Sequence, residues 1–127
     1  MKSPHPIVAA TLLLSIAAAW SQTPAPPTEF PSDAQALTAE ALQQRLSGKV
    51  FNVKTAAGAT WRLQYQASGN FYINVGNFSD SGKWRVEGSQ LCSEPQKTKA
   101  ACNEMRLASD TLYLKRDSGE IIKLEPN

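Results

Sequence analysis

From Phe51 onward the apolar residues of this chain recur at every second position, and polar turns interrupt them about every ten residues. Phe51 and Val53, then Trp61, Leu63 and Tyr65, then Phe71, Ile73 and Val75, then Trp84 and Val86 alternate with polar neighbours. A period of two puts those side chains on one face of a strand, so each segment predicts a strand with one buried side. Turn chemistry punctuates the run at Ala57-Gly58, Ser68-Gly69-Asn70, Ser79-Asp80-Ser81-Gly82, Gly88-Ser89, Ser109-Asp110 and Asp117-Ser118-Gly119. After Leu91 and Cys92 a polar loop is expected to reach Ala101; Met105 with Leu107, Leu112 with Leu114, and Ile122 with Leu124 then mark three further strands. Seven or eight short strands in this order predict a mainly β fold, an antiparallel meander. Its edges would pair with other chains unless the sheet curls, which leaves a small lipocalin-like barrel or a two-sheet sandwich.

The first fifty residues read differently. Lys2 gives a positive start, Ile7 to Ala19 an apolar run, and Ala19-Trp20-Ser21 small residues at the −3 and −1 positions of a cleavage site. This is the pattern of a secretory signal peptide, 1–21, cut after Ser21. The run is shorter than a membrane span and is interrupted by Ser15, so no membrane span is expected once it is removed. Lipid attachment would need a cysteine at the cut, and the first cysteine is Cys92. Residues 22–36 carry Pro24, Pro26, Pro27 and Pro31 and read as a flexible linker. A single domain, 37–127, then begins with a short helix: Ser32 or Thr38 can cap it, Leu37, Ala41, Leu42, Arg45 and Leu46 follow helical spacing, and Gly48 can end it. Its leucine face is expected to close one end or edge of the sheet.

Charge and residue types exclude several functions. Thirteen basic residues are scattered among eleven acids for a net charge of +2, and Lys2 leaves with the signal. A nucleic-acid surface needs clustered cations, so no nucleic acid is expected as partner. The only histidine is His5, inside the signal. The exported chain therefore has no histidine for a nucleophile system, for acid–base work or for a zinc site, and no cofactor or metal is expected. Asn77, Ser79 and Asp80 place oxygens close together, but with one acid among them they do not make a calcium loop. Cys92 and Cys102 are the two cysteines and can meet only each other. In an oxidising compartment they predict one disulfide, worth about 2.8 kcal/mol for a loop of about eleven residues. Their spacing is not that of a redox-active pair.

Two routes to function remain. Glu87, Glu94 and Glu104 are the acids that could form a carboxylate pair acting on envelope glycan, although each sits where acids are ordinarily solvated. The alternative is binding. Trp61, Tyr65, Phe71, Trp84 and Met105 fall on the inward phase and are the candidate ligand-binding residues, lining an apolar pocket if the barrel is wide enough. Tyr72 and Tyr113 fall on the outward phase, where tyrosines serve protein contacts.

The order Leu37-Thr38-Ala39-Glu40, Leu46-Ser47-Gly48-Lys49, Ser81-Gly82-Lys83-Trp84-Arg85-Val86, Gly88-Ser89-Gln90-Leu91-Cys92 and Cys102 resembles a family of small exported bacterial proteins known only as a domain of unknown function. The likeness spans residues 36 to 125, and Ser93-Glu94 stand where that family often has an aromatic residue. The resemblance implies export and a compact β fold, and it brings no catalytic or binding residues. The expectation is thus a periplasmic or secreted, non-enzymatic monomer. It would bind a small apolar ligand, or an envelope or secreted protein through its rim and the Cys92–Cys102 loop. Inhibition of a lysozyme is one form of the second, by fold analogy alone. A purely structural envelope component is the remaining alternative.

Overall fold

The computed structural model describes residues 3–4, 10–12 and 25–127. Most of the signal-peptide segment 1–21, with its cleavage point, lies outside the described residues, as does the start of the proline-rich stretch. The elements are β1 (Gln35–Ala36), α1 (Ala39–Leu46), β2 (Lys49–Lys54), β3 (Thr60–Tyr65), β4 (Asn70–Val75), β5 (Phe78–Glu87), β6 (Gln90–Pro95), β7 (Ala101–Ala108), β8 (Thr111–Lys115) and β9 (Ile121–Pro126).

From β2 to β9 every strand pairs antiparallel with the next, and β9 returns to β2 through Phe51↔Pro126 and Asn52↔Glu125. Eight strands therefore close into an up-and-down barrel, which decides between barrel and sandwich. The inward residues are those the alternation selects: Phe51, Val53, Leu63, Tyr65, Phe71, Trp84, Leu91, Met105, Leu112, Leu114, Ile122 and Leu124 are all buried. At eight strands a barrel is just wide enough for its own side chains, or for one small ligand.

Helix α1 plugs one end. Thr38 is its cap, with Oγ1 accepting from the Ala41 N–H at 3.2 Å, and Glu40 and Arg45 stand at the ends whose partial charges they oppose. Gly48, at φ +76°, turns the chain out of the helix into β2. Leu42 and Leu46 are fully buried in the barrel core. At about 1.5–3 kcal/mol for each fully buried leucine, their burial holds the helix in place far better than eight residues of propensity could.

The structure corrects three boundaries. Ser79 to Gly82 are not a turn: they lie inside β5, and the chain reverses at Gly76-Asn77, because Val75 already pairs with Phe78. Gly82 serves close packing there, since a Cβ would collide with the Glu94 carbonyl of β6. The loop after Cys92 is also shorter than expected. Strand β6 runs to Pro95 and β7 starts at Ala101, so Cys92 and Cys102 are direct cross-strand partners, disulfide-bonded with Cα atoms 4.0 Å apart. Finally, part of the 22–36 stretch read as linker lies on the barrel. Pairing with β6 stops at Glu104 of β7, and β1 takes up the free edge through Gln35↔Leu107 and Ala36↔Arg106. Upstream, the Pro27 carbonyl accepts from the Ile121 N–H at 2.7 Å, and the Phe30 ring lies 4.6 Å from the Arg106 guanidinium. Prolines cannot extend a ladder as donors, but their carbonyls accept, so this segment becomes a strap.

Among the described residues no helix is long and apolar enough to cross a membrane. The outer wall of β3 to β5 carries Arg62, Gln64, Asn74, Ser79 and Lys83, side chains that hydrocarbon would exclude.

Candidate functional site

The end of the barrel opposite α1 is an open cup of about 290 Å³. Depth follows from each residue's position along its strand. Trp61 on β3, Ser93 and Pro95 on β6, and Arg116 beyond β8 stand near the rim; Leu63, Tyr65, Phe71, Leu91 and Ile122 form the floor, with Ile73 and Leu114 between. The hairpin loops after β6 and β8 complete the lip with Thr98, Lys99, Asp117 and Ser118. An apolar floor beneath a few convergent polar groups is the usual form of a small-molecule site.

Of the five residues expected to bind ligand, the structure brings Trp61, Tyr65 and Phe71 to the cup. Trp84 and Met105 do not line it. Trp84 lies on β5, the strand α1 packs against, with its indole donating to the Gln66 carbonyl at 2.8 Å, and Met105 is wholly buried in the same core cluster as Leu42 and Leu46. The phase was right for both residues, but inward phase does not specify depth, and the helix plug fills the deep end. Tyr65 separates the two layers. Its ring centroid lies 5.5 Å from Trp84, 6.2 Å from Phe51 and 6.4 Å from Phe71, and burial pushes its phenol well above the ordinary tyrosine range, so it stays neutral.

Two acidic residues shape the rim, and alternation of apolar residues alone does not point to either. Glu120 is buried, takes the Arg116 guanidinium at 2.9 Å, and accepts from the Ala56 N–H at 3.2 Å. Arg116 in turn lies 4.7 Å from the Trp61 ring, so a hairpin tip is clamped over the cup's aromatic wall. Asp80 holds the other lip. Its carboxylate accepts from the N–H groups of Ser81 (2.8 Å), Gln96 (3.2 Å) and Lys97 (3.0 Å) and from the Thr98 hydroxyl (3.3 Å). Burial alone would raise its pKa, but these four donors outweigh it and hold the carboxyl below its ordinary value. The sequence did carry a signal: Asp80 shares the inward phase of Trp84 and Val86.

The three acids considered for catalysis stand on the outer wall, and none lines the cup. Arg85 engages both Glu87 (3.0 Å) and Glu94 (2.9 Å), and Arg106 engages Glu104 (2.8 Å). Glu87 also lies beside Cys92 and Cys102, but the sulfurs are bonded to each other and offer a metal no thiolate. No family model, no curated protein and no solved structure matches the chain. Geometry therefore carries the functional reading.

A larger depression, about 570 Å³, runs along the seam where α1 meets β2, with Arg45, Lys49 and Asp110 on its walls. Its lining mixes apolar Val50, Phe51, Leu112, Leu124 and Pro126 with Lys49, Asn127 and an exposed Arg45–Asp110 ion pair at 2.9 Å, and it lies outside the barrel mouth. Tyr72, expected to face outward, is 40% exposed on the outer wall, and Tyr113 is half-buried beside the strap.

Proposed function

We propose that this chain is an exported, non-enzymatic barrel that binds a small apolar molecule in the cup opposite α1. The observation that carries the reading is the cup: a one-ended cavity whose floor is made of Leu63, Tyr65, Phe71, Leu91 and Ile122. Eight strands leave room for one small ligand, and the volume sits at the lower end of natural ligand sites. The residue inventory supports binding over catalysis, since the exported chain would have no histidine and Glu87, Glu94 and Glu104 are each held by an arginine outside the cup. The signal-like first 21 residues and the disulfide support export.

The test is uptake of N-phenyl-1-naphthylamine, a neutral probe that fluoresces in apolar surroundings. The protein is expected to bind it at one saturable site. Ser93→Phe, which sets a ring across the mouth of the cup, should weaken uptake at least tenfold with little change in melting temperature. Equal uptake by the filled variant, or no uptake by the wild type, would overturn the reading.

A further inference from the structure

Resting on the cup reading above, we infer that the ligand is an amphipath: an apolar tail of about ten carbons ending in a hydrogen-bond-accepting head, best a carboxylate, held at the rim by Lys99 and Arg116. Tail length follows from volume. A methylene is comparable in size to a water molecule, whose share of the liquid is ~30 Å³, so a 290 Å³ cup takes on the order of ten. Orientation follows from the fold. Helix α1 closes the deep end with Leu42 and Leu46, so a molecule with one polar end can enter only tail first.

The choice of head follows from which rim groups are already engaged. Asn103 gives its amide N–H groups to the Lys115 carbonyl (3.0 Å) and to Asp117 (2.9 Å), and the Thr98 hydroxyl is turned to Asp80. The Ser118 hydroxyl accepts from the Glu120 N–H at 3.4 Å. What the rim still offers is mainly donors. Lys99 is exposed and has no carboxylate in ion-pair contact among the described residues, and Arg116 uses one of its five N–H groups on Glu120. Asp117 is the one acid that lines the cup, and its Oδ1 is already met by Asn103; the lip carboxylates of Asp80 and Glu120 are taken up by the 96–98 loop and by Arg116 with the Ala56 N–H. Two cationic donors over an apolar floor fit a carboxylate through charge-assisted hydrogen bonds, which are about twice as strong as neutral ones.

Three ligands sharing one tail test this: decanoate, decanol and decylamine, each displacing N-phenyl-1-naphthylamine from the wild-type protein and from Lys99→Gln at neutral pH. Decanoate should displace at about one-tenth the concentration that decanol requires, a ratio equivalent to about 1.4 kcal/mol. In Lys99→Gln that ratio should fall toward one, and added salt should reduce it in the wild type. Equal displacement by decanoate and decanol, or preference for decylamine through Asp117, overturns the head-group assignment while leaving the cup occupied. Failure of the probe itself to bind overturns the cup reading instead, so the two failures are distinguishable.

Discussion

An acid on the inward phase of a strand is costly unless its oxygens are met, and both oxygens of Asp80 are met. Because the folded protein holds this carboxyl below its ordinary value, folding is favoured by its ionisation. The contribution is complete above the ordinary carboxylate range, near pH 4, and is lost as pH falls through the lower folded value. Asp80→Asn should therefore lower the melting temperature at pH 7, and the gap to wild type should narrow as the pH is taken from about 5 to 2. A gap that stays constant across that range would show that the charge is not what holds the 96–98 lip. Single residues were also where the sequence was least legible. Asp80 sits among Ser79, Ser81 and Gly82, a composition that reads as a turn, and apart from the adjacent Ser81 N–H the backbone donors that satisfy it come from a loop sixteen and more residues away.

Helix α1 and the hairpins were more readable, since their signals are local. The spacing of Leu42 and Leu46, the Thr38 cap and Gly48 together specify a short amphipathic helix ending at β2. Period-two alternation likewise specifies which face of each strand is buried. Several turn positions were legible because the loop itself carries the chemistry, as at Ser109-Asp110, where both residues take positive φ (48° and 63°) in a two-residue hairpin, but Gly76-Asn77 was obscured by the more polar Ser79 to Gly82 run. What alternation cannot give is depth along the barrel, which is why Trp84 and Met105 were grouped with the cup. If α1 is a plug rather than a surface ornament, Leu46→Ala should cost about 2–5 kcal/mol and shift Trp84 emission to the red as water reaches the deep layer. A cost below about 1 kcal/mol with unchanged emission would mean the barrel closes that end without the helix.

For the molecule as a whole, closure removes the sheet edges, and β1 covers the one stretch of β7 that β6 leaves unpaired. The barrel's strands, read as seven or eight in meander order, were legible; β1 and the β2–β9 seam were not, because pairing between segments far apart in the chain has no local signature. The disulfide joins partners that are already cross-strand neighbours in the β6–β7 hairpin. Its effect falls chiefly on the unfolded chain, and a Cys92→Ser, Cys102→Ser protein should fold to the same barrel with stability lower by about 2.8 kcal/mol. Denaturant titration of the two proteins measures the difference. Intact mass of the exported protein checks the compartment argument at the same time: a chain starting at Gln22 that gains two mass units on reduction is expected, and free thiols in that material would contradict it.

A barrel stoppered at one end also constrains exchange kinetics. With α1 in place, whatever occupies the cup must leave by the opening it entered, and a newcomer cannot push it out from behind. Turnover of occupants then proceeds by vacancy, so the rate at which a held molecule is lost should not depend on how much competitor surrounds it. The lips pinned by Asp80 and by the Arg116–Glu120 pair would set that rate, making residence time a property of two loops rather than of the apolar floor.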